Sequence, residues 1–165
     1  MNSIIFAGGC FWGIEEYFSR LKGVSSTKCI YIDGNTENPK YNDLKNHTAT
    51  HAEAVLLEYN DDIIRLERLL YHFLSVIDPF SLNKQGGDYG IQYRSAIYYS
   101  TEKEKDCINN YFQNYFLDKL IDVKVEIKLV VKFYDAEEYH QGYLKKNVDG
   151  YCHIKFDTIE KGEEK

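Results

Sequence analysis

Only two prolines interrupt the 165 residues, which excludes long proline-rich linkers. No apolar run comes near the ~20 residues that a membrane-crossing helix needs. Positive charge is scarce as well: the net charge is −6, and the Lys145-Lys146 pair is too short to reverse that balance. Nucleic acid and anionic membrane surfaces both call for clustered Lys and Arg, so neither is expected as a partner. The four cysteines, at 10, 29, 107 and 152, contain no CxxC pair and no Cys/His spacing typical of zinc. Phe6-Ala7-Gly8-Gly9-Cys10 has the look of a lipoprotein cleavage site, but no Lys or Arg precedes it and the apolar stretch is only Ile4 to Ala7. Export is therefore not expected. The expected setting is a reducing cytoplasm, where thiols stay free or cycle catalytically. Asn46-His47-Thr48 has the form of a glycosylation acceptor, an accident in a chain that is not exported.

What is present is a chain of one-domain size, 44% hydrophobic and 28% charged, with aromatics at 15% owing to 15 Tyr and 9 Phe. No repeat or internal boundary is visible. The expected organisation is a single catalytic domain over residues 1–157 and a polar, frayed tail over 158–165. Ser3 to Ala7 reads as a short strand broken by Gly8-Gly9. Phe11, Ile14, Phe18 and Leu21 then recur at helical spacing. Val24 to Ile32 reads as a strand, Asp33 to Thr50 as a polar loop long enough to be functional, and Ala52 to Tyr59 as a strand. Leu66, Leu69, Leu70, Phe73, Leu74 and Ile77 mark an amphipathic helix stopped by Asp78-Pro79. A second loop from Phe80 to Gln92 leads to the strand Ser95 to Tyr99. Thr101 is placed to cap a helix carrying Ile108, Tyr111, Phe112, Tyr115 and Phe116. Strict alternation of Val125, Ile127, Leu129, Val131 and Phe133 predicts one strand with one face on a core. A short helix is expected near Ala136 to Lys145. The order β-α-β-β-α-β, followed by α-β, predicts an α+β fold. Its form would be a ferredoxin-like split βαβ two-layer sandwich with a C-terminal extension.

Two positions stand out chemically. Strand, Gly-Gly-Cys, then helix puts Cys10 at a helix start, where free N–H groups and the helix dipole favour a thiolate. Phe11 and Trp12 follow it and offer an apolar wall. Glu53, in His51-Ala52-Glu53-Ala54-Val55, is flanked on its strand by residues that invite burial, and a buried carboxyl stays protonated near neutral pH, as a general acid requires. Each has a plain alternative: a helix-start cysteine without a role, and an edge-strand glutamate paired to a neighbouring cation. Cys29 and Cys107, inside regular elements, are expected to be small buried hydrophobes.

Five ordered motifs spread from about Ile5 to His153 carry a resemblance to one family. Gly9-Cys10-Phe11-Trp12-Gly13 is similar to the nucleophile motif of the A-type methionine sulfoxide reductases. Gly86 to Ser95 resembles a second motif, with Ile91 where Thr is usual. Asn38-Pro39-Lys40-Tyr41, His51-Ala52-Glu53 and Glu138-Tyr139-His140-Gln141 match at suitable spacing. The resemblance implies that Cys10 attacks the sulfoxide and Glu53 protonates its oxygen. Tyr41 and Tyr93 would donate hydrogen bonds to that oxygen, Asp88 would order the pocket, and Phe11 and Trp12 would hold the substrate methyl group. It further implies that Cys152 resolves a Cys10 sulfenic acid, with a thioredoxin-like reductant as partner and methionine sulfoxide, free or in proteins, as substrate. Cys152 as a buried structural thiol remains the alternative. No cofactor and no metal ion is implied.

Departures from the family pattern cluster in one region. Ile30-Tyr31-Ile32-Asp33-Gly34 stands where Gly-Tyr-x-Gly-Gly is common, and Lys45, His47, Ala49 and Thr50 replace Cys, Gly, Thr and Gly. These side chains are expected to narrow the approach to the pocket. Val148 replaces a usual Pro, and no further cysteine follows Cys152. Two other function classes stay open on the sequence. One is a cysteine hydrolase with His51 or His140 as base. The other is a thiol sensor that binds methionine sulfoxide without turnover.

Overall fold

A sheet of six strands organises the molecule, and a computed structural model describes all of its residues, Met1–Lys165. In chain order the elements are β1 (Asn2–Gly8), α1 (Phe11–Ser19), β2 (Val24–Ile32), the short α2 (Tyr41–Lys45), β3 (Ala52–Tyr59) and α3 (Leu66–Val76). A two-residue hairpin follows, β4 (Lys84–Gln85) and β5 (Asp88–Tyr89), then β6 (Ser95–Tyr99), α4 (Glu102–Phe116), β7 (Glu126–Leu129), β8 (Phe133–Asp135) and α5 (Tyr143–Lys146). The sheet runs β7-β6-β1-β3-β2-β8; all neighbours are antiparallel except β6 and β7. The architecture is thus mixed α and β around a mixed sheet. No helix is long and apolar enough to cross a membrane.

Side chains alternate across a strand, and here both faces of the sheet are buried. One face carries Ile4, Phe6, Tyr31, Val55, Leu57 and Ile97 under the apolar sides of α1, α3 and α4. Phe6 and Phe73 stack there at 4.6 Å between ring centroids. Thr101 caps α4 as its position suggests, its hydroxyl accepting from the Glu104 N–H at 3.1 Å while the Glu104 carboxylate accepts from the Thr101 N–H at 3.2 Å. The other face is a smaller cluster built on Ile5, Ala7, Ile30, Ile32, Ala52, Ala54, Ala96 and Tyr98.

Covering that second face explains where the alternating run 125–133 departs from expectation. It is not one strand. It pairs as β7 at one edge of the sheet, leaves at Leu129, and pairs again as β8 at the opposite edge. Val130 and Phe133 pack on the small second-face cluster, while Leu129 and Val131 are 56% and 40% exposed. Alternation records local spacing only, and an uncovered apolar sheet face outweighed the continuity of one strand.

The tail 158–165 also differs from expectation: it is docked, not frayed. Lys22 N–H donates to the Glu163 carbonyl at 2.7 Å and Lys165 N–H to the Arg20 carbonyl at 2.9 Å. The Glu163 carboxylate accepts two bonds from the Arg68 guanidinium, each 2.8 Å. Its polar composition is satisfied by partners some ninety residues earlier in the chain.

Phe73 is fully buried and central to the helix-covered face. Phe73→Ala is expected to lower unfolding free energy by about 3–5 kcal/mol, the usual cost of emptying a large aromatic site. Urea denaturation measures it, and a loss under about 1 kcal/mol would show that the face repacks.

Candidate active site

β1 delivers the chain to Gly9, whose φ of 85° lies in the left-handed region and whose added Cβ would fall 2.7 Å from the Gln85 side chain. Glycine is required there on both counts. Cys10 then caps α1 with extended angles, and Phe11 begins the helix. The Phe11 N–H, one of the free donors of the helix start, points at the side chain of Glu53 and donates to its Oε1 at 3.2 Å.

Glu53 reaches that position because of strand periodicity. Val55, Leu57 and Tyr59 share its side of β3, so the carboxyl lies in the row covered by α1, opposite Tyr31 on β2. It is 1% exposed. Burial raises its pKa to about 8; the Phe11 N–H pulls the other way, and Asp88 adds a smaller upward push. The carboxyl is therefore protonated at neutral pH. The alternative of a glutamate paired to a cation does not hold here, because no Lys, Arg or His lies in ion-pair contact with Glu53.

The Cys10 thiol differs from the expected thiolate. Its pKa is pushed well above the usual thiol range, first by burial and then by the charge of Glu53, while the Trp12 N–H opposes this. Helix-start donors act in the expected direction, but loss of water outweighs them. Since Glu53 is itself protonated below about pH 8, its contribution vanishes at neutral pH, and burial, helped by a smaller push from Asp88, keeps Cys10 a thiol.

Tyr41 and Tyr93 face the same point. Burial raises both phenols, each next feels the Glu53 charge, and each feels Cys10, so both remain O–H donors. Tyr41 opens α2, with its N–H donating to Glu137 Oε2 at 3.0 Å, while Tyr31 O–H donates to Glu137 Oε1 at 2.8 Å. One carboxylate thus ties the long 33–50 loop to β2. Tyr93 lies in a single 3₁₀ turn, Ile91–Tyr93, beyond the hairpin that carries Asp88. That hairpin is clamped by the Gln85 amide, which accepts from Asp78 N–H at 2.8 Å and donates to the Asp78 carbonyl at 2.8 Å and Ser95 Oγ at 3.1 Å.

Phe11 is buried against Tyr31 and His140, with ring centroids 5.7 and 5.1 Å apart. Trp12 is half-buried; its ring stacks on Tyr143 at 3.7 Å, and its Nε1–H donates to His140 Nδ1 at 2.9 Å. No hydrogen bond joins Cys10 to His51 or His140. His51 instead packs over Gly34, and burial lowers both imidazole pKa values. The hydrolase arrangement of thiol and imidazole is absent.

Cys152 is half-buried and lies beside the same helix start. Its Sγ would be 2.9 Å from a Cβ on Gly13, one turn along α1 from Cys10. All four cysteines are free. Cys29 is buried as expected, its thiol donating to Glu15 Oε1 at 3.4 Å; Cys107 is only half-buried and donates to Glu67 Oε1 at 3.1 Å.

Three sets of contacts around the site leave no local signal in the sequence. Glu137 carries no motif of its own. His140 sat inside a matched motif, yet its bond to Trp12 spans 128 positions. His153 lies against Gly9, Gly86 and the charge of Asp88, next to Cys152 in the chain. The altered segment is built into the fold: Ile30 and Ile32 fill the second sheet face, and Asp33 accepts from Lys128 Nζ at 2.6 Å and Tyr98 O–H at 3.1 Å. Arg94 ties it further, donating to the carbonyls of Asp33 at 2.8 Å and Thr50 at 2.9 Å.

A thiol, a protonated carboxyl and two phenols converging at a helix start, with a second thiol one turn away, define a thiol-based oxidoreductase. Comparison gives the family. A family model described as peptide methionine sulfoxide reductase matches residues 2–165. Peptide methionine sulfoxide reductase MsrA of Lachnoclostridium phytofermentans is 50% identical over 155 residues, 93% of each chain. The MsrA of Clostridium botulinum strain Okra is 48% identical over 157 residues, 95% of this chain and 100% of that one. Among solved structures, reduced Mxr1 from Saccharomyces cerevisiae superposes with a TM-score of 0.85 at 29% identity, covering 93% of this chain and 91% of that chain. Mxr1 in complex with Trx2 shares the fold at a TM-score of 0.58 and 22% identity, over 86% and 84% of the two chains. The chain belongs to the peptide methionine sulfoxide reductase family, of the MsrA type, and is an enzyme of that class.

The pKa of Glu53 sets a pH dependence. Its folded value is raised, so the proton is held below about pH 8 and lost above it. Single-turnover product formation is expected to decline as pH rises through about 8. Glu53→Gln should be slower by about 10²–10⁴-fold, the range of a lost general acid, and should lack that step. Rapid-quench rates from pH 6 to 10 check both, and an unchanged step in Glu53→Gln would assign the proton to another group.

Proposed function

We propose that this enzyme reduces methionine S-sulfoxide, free or in proteins, to methionine by way of a Cys10 sulfenic acid, and so repairs oxidised proteins. The observation that carries the reading is the buried, protonated Glu53 carboxyl bonded to the backbone N–H next to the nucleophile. Sulfoxide oxygen leaves sulfur readily only when it carries a proton and hydrogen-bond donors. Glu53 gives its proton to that oxygen while the Cys10 sulfur bonds to the substrate sulfur, and the thiol proton returns Glu53 to its acid form. Oxygen passes to Cys10 as methionine departs: Cys10–SH and R₂SO become Cys10–SOH and R₂S. The Tyr41 and Tyr93 hydroxyls steady the oxygen, Asp88 and its neighbours Tyr151 and His153 order the far wall, and Phe11 and Trp12 hold the methyl group.

Cys152 then attacks the sulfenic sulfur, releasing water and leaving a Cys10–Cys152 disulfide, which a thioredoxin-like dithiol reduces. Its place beside Gly13 supports that role. A cytoplasmic setting fits this thiol cycle. The order β6-β1-β3-β2 with the helices on one face supports the ferredoxin-like description of the core.

Separated epimers give the first test. The S form should be consumed and the R form spared, as scored by chromatography; consumption of R alone, or of both equally, contradicts the reading. For Cys152→Ser, release of about one methionine per enzyme is expected, because the first step needs no second thiol. Thioredoxin-driven turnover should collapse and dithiothreitol should restore it. Full thioredoxin turnover in that variant would remove Cys152 from the cycle.

A further inference from the structure

Between α5 and the tail, residues 147–157 contain Cys152 and no helix or strand. Tyr151 and His153, on either side of Cys152, touch the 86–87 turn, the Gly87 N–H donating to Tyr151 Oη at 3.3 Å, and a second, larger set of contacts fastens the arm at its C-terminal side. Glu163 accepts the bidentate pair from Arg68 and also bonds His72 Nε2 at 2.8 Å; His72 is fully buried. His72 Nδ1 is joined to Tyr17 O–H at 2.6 Å, and that hydroxyl to Thr158 Oγ1 at 2.7 Å. Glu164 forms a bridge to Leu21. The Phe156 ring lies under the Arg20 guanidinium at 4.0 Å and beside Tyr17, and Ile154 is buried. Arg68 and His72 belong to α3, whereas Tyr17 lies in the last turn of α1 and Arg20 caps that end, Cys10 being the cap at the other end of the same helix. The tail therefore locks onto α3 and onto the far end of the helix whose start carries the nucleophile.

We infer that the Glu163–Arg68–His72 latch is a positioning device for the resolving step, holding the arm so that Cys152 stays within reach of Cys10. The inference rests on the resolving role given to Cys152 above. A segment fastened at both ends explores far less space than one fastened at a single end, so the effective concentration of its thiol is higher. Releasing the latch leaves the first chemical step alone and slows the second. In that second step the Cys152 sulfur displaces hydroxide from the Cys10 sulfenic sulfur, the thiol proton leaves with it as water, and the S–S bond forms. Glu163 touches neither sulfur. It acts through the arm.

The test measures both steps in the wild type, Glu163→Gln and Arg68→Met, using methionine sulfoxide without reductant. Methionine release by rapid quench reports the first step; mass spectrometry of acid-quenched samples reports the Cys10–Cys152 disulfide. Capture of Cys10 sulfenic acid by dimedone reports the lifetime between them. In both variants methionine release should match the wild type, disulfide formation should slow on the order of tenfold, and dimedone capture should rise. A purely structural role would slow both steps together, or would show as poor folding in thermal unfolding of both variants, and either result overturns the proposal. Wild-type disulfide rates in folded variants also overturn it. If the wild type itself forms no Cys10–Cys152 disulfide, the resolving assignment fails, and the latch proposal with it.

Discussion

A single carboxyl, sealed beneath the first turn of a helix, sets the conditions for the rest of the site. Glu53 occupies the inner row of β3 among Val55, Leu57 and Tyr59, only 1% exposed and with no cation in ion-pair contact. Buried charge is costly, so the group keeps its proton. That one choice propagates. Without a negative Glu53, the thiol of Cys10 is spared a repulsion that would raise its pKa further, and the phenols of Tyr41 and Tyr93 face a neutral partner. The Phe11 N–H registers the helix start against the carboxyl at 3.2 Å, so the nucleophile and the acid are placed by the same bond.

Around this pair the fold supplies supports drawn from distant parts of the chain. Glu137, after the last strand, anchors the first residue of α2, which is Tyr41. Arg94 and Asp33 close the ends of the 33–50 loop, and Gln85 closes the hairpin bearing Asp88. His140 fixes Trp12 through its indole N–H. Gln85, Arg94 and His140 are buried and Glu137 and Asp33 half-buried, and each meets a partner of matching geometry. The C-terminal segment adds one more layer, since the tail that binds α3 brings Cys152 to the opening turn of α1.

Much of this was legible in the sequence, and the gaps have physical causes. The strands Val24–Ile32, Ala52–Tyr59 and Ser95–Tyr99 coincide with their sequence boundaries because the mainly apolar or β-branched stretches there are bounded by turn-forming or polar residues. The alternation from Val125 to Phe133 misled because period two says nothing about which neighbour a strand will find; here the run has two, at opposite edges. The polar tail reads as frayed because its partners, Arg68 and His72, are remote in sequence. At the site, motif spacing singled out the residues that the fold brings together, whereas Glu137 and the pairing of His140 with Trp12 depend on tertiary contacts that leave no local pattern. Cys10 departs from the helix-start expectation for a related reason: a helix start is visible in sequence, and the depth of burial that raises the thiol pKa is not.

The chemistry of the site depends on Glu53 resting in its acid form at neutral pH. Carbon-13 NMR of glutamate carboxyls, with the Glu53 resonance assigned by its loss in Glu53→Gln, titrates that group directly. A midpoint of about 8 is expected. A midpoint in the ordinary range for glutamate, about 4.3, would contradict it, because a carboxylate already ionised at neutral pH has no proton to give to the sulfoxide oxygen.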